Sequence, residues 1–173
     1  EFVEELKRLK VEIIRPSINR CFTEFKALEG KIYYGLGAIK NVGYEAISNI
    51  LKEREKNGLF KSFSDFINRV DSKDINKLQL EGLTKAGAFD DLDNNRAKIY
   101  NSIPKIIQQI KNVNDDKANH QSSLFDNSDN LLNQFEFIPS NQWTQKQLLS
   151  EEFGSTRTLS EILIFNGCPL IPR

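Results

Sequence analysis

The sequence predicts a mainly α-helical chain, with a small α/β piece at its N-terminal end and a largely flexible C-terminal segment. Short β-prone runs separated by turn residues occur within residues 1–34. Apolar residues then recur at helical spacing over residues 35–111, between glycines that mark helix ends. From residue 112 the chain turns polar, and Asn, Asp, Ser and Gln dominate. With 39% hydrophobic and 28% charged residues among 173, it can bury one or two small cores.

The N-terminal piece is predicted to contain a β-hairpin. Residues 22–25 and 31–34 are β-prone, and they flank Glu29-Gly30, a pair that suits a tight turn. A helix is predicted near residues 2–9, and a short strand that Pro16 stops is predicted over residues 11–15.

Four helices are predicted between residues 35 and 111, from apolar stripes with a period near 3.6 residues. The stripes include Ile47, Phe66, Leu83 and Ile103. Ser62-Phe63-Ser64-Asp65 has the form of a capping box, and Pro104 predicts a kink in the last helix. A further short helix is predicted over residues 144–153.

The bend near residue 41 has the pattern of a helix-hairpin-helix, in which a short helical turn leads through a tight bend directly into a second helix. The bend needs a positive φ near its centre. Asparagine tolerates that conformation, so Asn41 can stand where glycine is commoner. Gly43 permits close approach, and the helix that begins there directs free N–H groups and its positive dipole end outward, towards a phosphate oxygen.

A second, weaker copy of the pattern covers residues 83–89, with the next helix beginning at residues 94–98 and Phe89 in place of the second glycine. Two such units would place N–H groups across a minor groove and bind the DNA backbone without reading the bases. Simple helix punctuation by the glycines is the alternative interpretation. The predicted DNA-binding residues are Gly37, Lys40, Asn41, Val42, Gly43, Tyr44, Lys85, Gly87, Arg96 and Lys98.

The charge is unevenly distributed, although the formal net charge is zero. Residues 1–111 hold 20 Lys and Arg against 16 Asp and Glu, whereas residues 112–173 hold 4 against 8. A mildly basic half suits a polyanion, and an acidic, polar half suits a tether. Ordinary solvated helix faces explain so small an imbalance equally well.

No apolar run approaches the roughly 20 residues that span a bilayer, and the acidic start resembles neither a secretory signal nor a transit peptide. We therefore expect a cytoplasmic location. The chain has no methionine and opens inside an amphipathic pattern, which we interpret as an internal fragment of a longer protein.

Catalytic chemistry is not indicated. Cys21, Cys168 and the only histidine, His120, lack metal-ligand spacing, so we expect reduced thiols, no disulfide and no metal. The acidic cluster Asp90-Asp91-Leu92-Asp93 lies in a turn before a helix, where acids act as caps. No glycine-rich phosphate loop and no Ser/His/Asp set is present. We predict no catalytic residue and no cofactor in this segment.

The run from Gly30 to Gly43, with the segments near residues 60–66, 83–90 and 95–97 in the same order, resembles the alpha (catalytic) subunit of bacterial DNA polymerase III. The resemblance covers about residues 1–153. It implies the end of the fingers region followed by the tandem helix-hairpin-helix domain of a DNA-directed DNA polymerase, a nucleotidyltransferase whose Mg²⁺ site lies elsewhere. It also implies double-stranded DNA and other polymerase III holoenzyme subunits as partners.

The resemblance extends to Gln121-Ser122-Ser123-Leu124-Phe125, which is similar to the family's internal motif for binding the beta sliding clamp. In such a motif Leu124 and Phe125 anchor in an apolar groove while the amide of Gln121 hydrogen-bonds its rim. A local contact of the two apolar residues with the helices is the alternative.

The implied organisation has four parts. They are the end of the fingers region (1–34), the tandem helix-hairpin-helix domain (35–111), a polar linker with the clamp motif (112–142), and a short helix with an atypical tail (143–173). Cys168-Pro169-Leu170 stands near the place of the family's His-Pro-Leu turn, and we assign no function to the tail. Two other interpretations are a helical protein-interaction region with degenerate hairpins and a fragment of a DNA-repair enzyme.

Overall fold

A computed structural model of the chain describes residues 12–118 and 136–156. It contains a three-stranded sheet and five α-helices in those ranges. The strands are β1 (Glu12–Ile14), β2 (Lys26–Leu28) and β3 (Lys31–Tyr33). The helices are α1 (Tyr44–Asn57), α2 (Phe63–Arg69), α3 (Lys77–Lys85), α4 (Arg96–Ala118) and α5 (Gln145–Ser155). The predicted mainly helical fold with a small N-terminal sheet is confirmed.

The sheet has the strand order β1-β3-β2, with β1 parallel and β2 antiparallel to β3. Glu29 and Gly30 both have positive φ, 49° and 73°, as expected of the two-residue turn that joins twisted antiparallel strands. This two-residue turn places Leu28 opposite Lys31 and thereby sets the register of the hairpin. The first strand of the hairpin, β2, therefore lies at residues 26–28 and not at the predicted 22–25. Residues 22–25 instead pack Phe25 against Tyr34, with ring centroids 4.6 Å apart.

The helices between residues 35 and 111 form where the apolar stripes predict them, and their ends follow local chemistry. Ser62 accepts a hydrogen bond from Asp65 N at 3.0 Å, whereas the Asp65 carboxylate accepts from Lys61 N, so only half of the capping box forms. Gly58 (φ 83°) ends α1 and Gly87 (φ 79°) follows α3. None of the helices in the described ranges is long and apolar enough to span a membrane.

One hydrophobic core joins the sheet piece to the helices, across the predicted division at residue 35. The loop between β1 and β2 contributes much of this connection. Ile18 is fully buried and its N–H donates to Ala88 O at 2.8 Å. The buried guanidinium of Arg54 in α1 donates to Ile18 O at 2.8 Å and to Cys21 O at 2.9 Å. The loop is therefore fastened to α1 and to the residues after α3.

The polar segment from residue 112 is more ordered, where it is described, than its composition predicts. Helix α4 continues to Ala118, because extending an existing helix costs far less than starting one. Residues 136–144 lie along α4, with Ile138 N donating to Ser102 Oγ at 2.8 Å and the Trp143 ring 5.4 Å from that of Tyr100. The predicted short helix is α5, which starts with a complete capping box.

Candidate nucleic-acid interface

The first predicted hairpin has the expected backbone. A single 3₁₀ turn, Leu36–Ala38, leads to extended Ile39, and Asn41 adopts φ 63° at the centre of the bend. Val42 N donates to Ile39 O at 3.3 Å, which closes the turn. Gly43, with φ −75° and ψ 133°, then caps α1. The prediction that Asn41 takes the left-handed conformation usual for glycine is confirmed.

The N-terminus of α1 is open to solvent. No side chain of the described residues caps it, and Lys40, Asn41, Gly43 and Tyr44 are all exposed. A Cβ placed on Gly43 would meet only the Cβ of Ala46, at 3.9 Å. The unpaired N–H groups of a first helical turn, with the dipole behind them, form a site that suits an anion.

Gly37 and Tyr44 shape the floor of this bend. The phenol of Tyr44 donates to Glu24 Oε1 at 3.1 Å, and this hydrogen bond, with the nearby carboxylate charge, raises the pKa of Tyr44. A Cβ on Gly37 would lie 3.0 Å from Thr23 O and 3.2 Å from the Tyr44 ring. Gly37 thus allows the ring to lie close to the bend, while 57% of Tyr44 stays exposed.

Gly82, which the site prediction missed, allows α3 to pack closely against the bend of the first hairpin. A Cβ on Gly82, inside α3, would lie 2.6 Å from Lys40 O and 3.3 Å from a methyl of Val42, which is buried. Helix α3 and the bend therefore approach closely at this point. An isolated glycine inside a helical stripe was the available signal.

The second hairpin begins as predicted but departs from the pattern after its bend. Gly87 N donates to Thr84 O at 3.1 Å and Ala88 N to Leu83 O at 2.9 Å, the two bonds of a Schellman motif. Phe89 is then buried in the core, and further turns separate it from the start of α4 at Arg96. A second helix does not follow the bend directly, because the Phe89 ring packs inward.

Side-chain oxygens accept hydrogen bonds from backbone N–H groups at the N-terminus of α4, which is not the case at the N-terminus of α1 among the described residues. Asn95 Oδ1 accepts from Lys98 N at 3.0 Å, and Gln142 Oε1 accepts from Ala97 N at 3.4 Å. The two hairpins are therefore unequal: the first-turn N–H groups of α1 have no side-chain partner among the described residues, whereas those of Ala97 and Lys98 in α4 are paired within the chain.

Three of the four predicted cations lie together at the second hairpin, each beside a carboxylate. The guanidinium of Arg96 is 7% exposed and lies 2.6 Å from Asp90 and 3.3 Å from Glu152. Lys98 pairs with Asp93. A DNA contact by Arg96 or Lys98 stays a prediction, and in this structure both side chains hold the turn before α4 in place.

Lys85, the third of these cations, lies 3.0 Å from Glu151. Burial lowers the pKa of Lys85, but the hydrogen bond to Glu151 and the nearby charges outweigh it, so that the pKa is raised overall. Lys40, the fourth predicted cation, is exposed beside the first bend and has no ion pair with any described residue.

The remaining candidates separate into described and undescribed groups. The Asp91 carboxylate accepts hydrogen bonds from Arg20 and Ser17. Asp90 pairs with Arg96 and Asp93 with Lys98, so each acid of this cluster has a partner within the chain. Cys21 is buried, and burial raises the pKa of its thiol. The structure contains no group of three potential metal ligands among the residues it describes. The clamp-motif residues Gln121, Leu124 and Phe125, with His120 and Cys168, lie outside them.

A 3₁₀ turn, a bend centred on a left-handed residue and a helix that follows at once without a side-chain cap define a helix-hairpin-helix protein. Comparison of sequences agrees, because residues 10–99, just over half of the chain, match the family described as helix-hairpin-helix motif. The chain belongs to this family.

Within it, the chain is similar along nearly its whole length to the alpha subunit of DNA polymerase III, as inferred from the run of residues 30–43. It is 37% identical to the DNA polymerase III subunit alpha of Borreliella burgdorferi, a match that covers 99% of this chain and 15% of the relative. The corresponding proteins of Campylobacter jejuni and Caulobacter vibrioides are 37% and 33% identical and match 98% and 89% of this chain. The chain spans 13 to 15% of the length of these three relatives, and is thus similar to one region of a DNA replication polymerase.

Proposed function

We propose that this chain holds duplex DNA through its phosphate backbone, as the helix-hairpin-helix region of a replicative DNA polymerase, and that the first hairpin makes the principal contact. The observation that carries the proposal is the open N-terminus of α1, where Lys40, Gly43 and Tyr44 are exposed around N–H groups that have no side-chain partner within residues 12–118 and 136–156. Such a site attracts a phosphate oxygen whatever the base sequence. The similarity to DNA polymerase III subunit alpha supports DNA as the source of that phosphate.

Polymerisation by the whole protein, with Mg²⁺ in its active site, and assembly with other holoenzyme subunits are part of the same proposal. Both rest on the likeness to the relatives. The role of this region would be to retain the duplex while catalysis takes place elsewhere in the protein. A phosphate contact suits that role, because a replicative enzyme must bind every sequence with similar affinity.

Replacing Lys40 with glutamine is expected to weaken binding of duplex DNA several-fold at low salt and to reduce the salt slope, d log K/d log[salt], by about 0.9. The reason is that one fewer counterion is released when one phosphate contact is lost. Fluorescence anisotropy with a labelled duplex, repeated from about 50 to 200 mM salt, measures both quantities.

Lys56→Gln is the matched control for this experiment. Lys56 is exposed on the same helix but lies near its C-terminal end, about 18 Å along the axis from Tyr44. The control removes the same charge and should leave the affinity close to that of the unmodified chain. Equal losses in both variants would show a general charge effect and contradict the assigned contact. A chain that binds no duplex would instead favour a helical protein-interaction region.

We further propose that residues 121–125 bind the sliding clamp. The support is the sequence Gln121-Ser122-Ser123-Leu124-Phe125 itself, in a polar stretch that follows the hairpins. A short peptide of this kind tethers the enzyme to a clamp that already encircles the DNA, so that rebinding is nearly intramolecular. The expected gain is processivity without a tighter grip on DNA.

Replacing Leu124 and Phe125 together with alanine is expected to abolish binding to the beta sliding clamp, because both apolar anchors of the peptide are lost. Binding of duplex DNA should be unchanged. Surface plasmon resonance with immobilised clamp measures the first quantity. The paired substitution of Leu131 and Leu132, two apolar residues nearby in the same polar segment, is the control. Clamp affinity that survives the first pair, or falls equally with the second, would eliminate the motif.

A further inference from the structure

Carboxylates from the C-terminal part of the chain occupy two cations of the second hairpin. Glu151 Oε2 lies 3.0 Å from Lys85 Nζ, and Glu152 Oε2 lies 3.3 Å from the guanidinium of Arg96. Both acids belong to α5, which follows the hairpins by many residues in sequence. Lys85 and Arg96 are therefore paired with anionic oxygens, and a DNA phosphate would supply the same type of group.

The same part of the chain also supplies oxygens at the start of α4. Gln142 Oε1 accepts from the backbone N–H of Ala97, and Ser140 O accepts from Asn95 Nδ2 at 2.9 Å. A first-turn N–H is the group that would bind a phosphate in an open hairpin. Residues 140–152 therefore pair with backbone and side-chain donors of the second hairpin, whereas the corresponding N–H groups of α1 have no such partner among the described residues.

Helix α5 gains little from apolar burial. Leu149 and Phe153 are 58% and 73% exposed, and Ser155 is its only buried residue. Its attachment depends on polar contacts, which include the ion pairs and a hydrogen bond from Lys40 N to Ser155 O at 2.9 Å. An ion pair that solvent reaches, such as Lys85–Glu151, stabilises only weakly. A segment held in this way opens locally at a small free-energy cost.

We propose that α5, with the residues that precede it from Ser140, is a displaceable acidic cover over the second hairpin, and that duplex DNA competes with Glu151 for Lys85. The inference rests on the proposed function of the first hairpin. With the cover in place, the chain binds DNA through the first hairpin alone. When DNA phosphates displace the cover, Lys85 also contacts the DNA, and both hairpins then contribute to binding.

Glu151→Gln in the full chain tests the proposal. Glu151 and Lys85 are both partly exposed, so removing this carboxylate breaks the ion pair without leaving a buried charge unpaired, and Lys85 Nζ keeps its contact with the Tyr100 ring, 5.2 Å from the ring centroid. Glu152 is left unchanged because its partner Arg96 is buried. We expect a several-fold gain in duplex affinity at low salt and a salt slope steeper by about 0.9, as one more counterion is released. Lys85→Gln introduced into the Glu151→Gln chain should cancel both gains.

Glu136→Gln is the matched control, because it removes one negative charge from the same part of the chain. Its partner Lys105 lies on the exposed side of α4, and among the described residues Glu136 makes no hydrogen bond or ion pair with either hairpin. Affinity that rises equally in the Glu136 and Glu151 variants would overturn the cover and leave only a net-charge effect.

The remaining outcomes separate this inference from the function on which it rests. If Lys40→Gln weakens binding while Glu151→Gln leaves affinity and slope unchanged, the cover is refuted and the first-hairpin contact stands. If the gain in Glu151→Gln survives the removal of Lys85, competition for Lys85 is refuted. A chain that binds no duplex in any variant overturns both proposals.

Discussion

Replacing Phe89 with alanine is expected to lower the free energy of unfolding by about 3–5 kcal/mol. The Phe89 side chain is 1% exposed, and its ring centroid lies 4.9 Å from that of Phe63 and 5.0 Å from that of Phe66. The substitution removes these contacts and leaves a cavity that the neighbouring helices fill only in part. Denaturant-induced unfolding, followed by far-UV circular dichroism as a measure of the helices as a whole, gives the change in the free energy of unfolding.

Phe153→Ala is the control for this experiment, since it is the same substitution at a side chain that is 73% exposed. We expect its free energy of unfolding to stay within about 0.5 kcal/mol of the unmodified chain. Similar losses in the two variants would contradict the placement of Phe89 in the core. The result also bears on the second hairpin. A glycine at position 89 would match the helix-hairpin-helix pattern but would remove the same ring from the core, so a large loss in Phe89→Ala would explain why the pattern is not kept there.

Replacing Gly82 with alanine is expected to destabilise the chain by about 1–3 kcal/mol, although alanine favours helices over glycine. The added Cβ would lie 2.6 Å from Lys40 O, a backbone atom that can yield only if the first hairpin shifts away from α3. We therefore expect weaker binding of duplex DNA as well. Unfolding by denaturant and anisotropy with a labelled duplex measure the two effects.

Gly154→Ala provides the matched comparison, because Gly154 is also inside a helix but a Cβ there would meet no atom within 4 Å. With no clash, helix propensity alone applies, and stability should rise by at most about 0.5–1 kcal/mol, because Gly154 lies in the last turn of α5. Opposite signs in the two variants would establish that α3 supports the bend at Gly82. Stabilisation by both would show that the first hairpin does not rest there.

The two proposals about DNA differ in what they require of the chain. Binding by the first hairpin requires only groups that are already exposed, namely Lys40 and the N-terminus of α1. Binding by the second requires that DNA displace Glu151 from Lys85. A chain with one open and one covered hairpin would bind the duplex with two different affinities, which would suit the role in replication proposed above.

Much of the fold was determined by the sequence alone, because its causes are local. Glu29-Gly30 predicts a tight hairpin turn and Asn41 predicts a left-handed residue, since few residue types tolerate positive φ. The apolar stripes predict α1 to α4, because burial of one helical face requires a period near 3.6 residues. The run from Gly30 to Gly43 sufficed to indicate the family.

Only the tertiary structure decided how the two hairpins differ. The sequence suggested that Lys85 and Arg96 were free to contact DNA, but in the fold α5 places Glu151 and Glu152 in ion pairs with them. The pairing of a charge depends on which groups folding brings within a few ångströms, and sequence distance does not predict this. The same holds for Gly82, whose importance comes from the approach of Lys40 O. Local patterns therefore fixed where each hairpin bends, and long-range packing decided which of them is open.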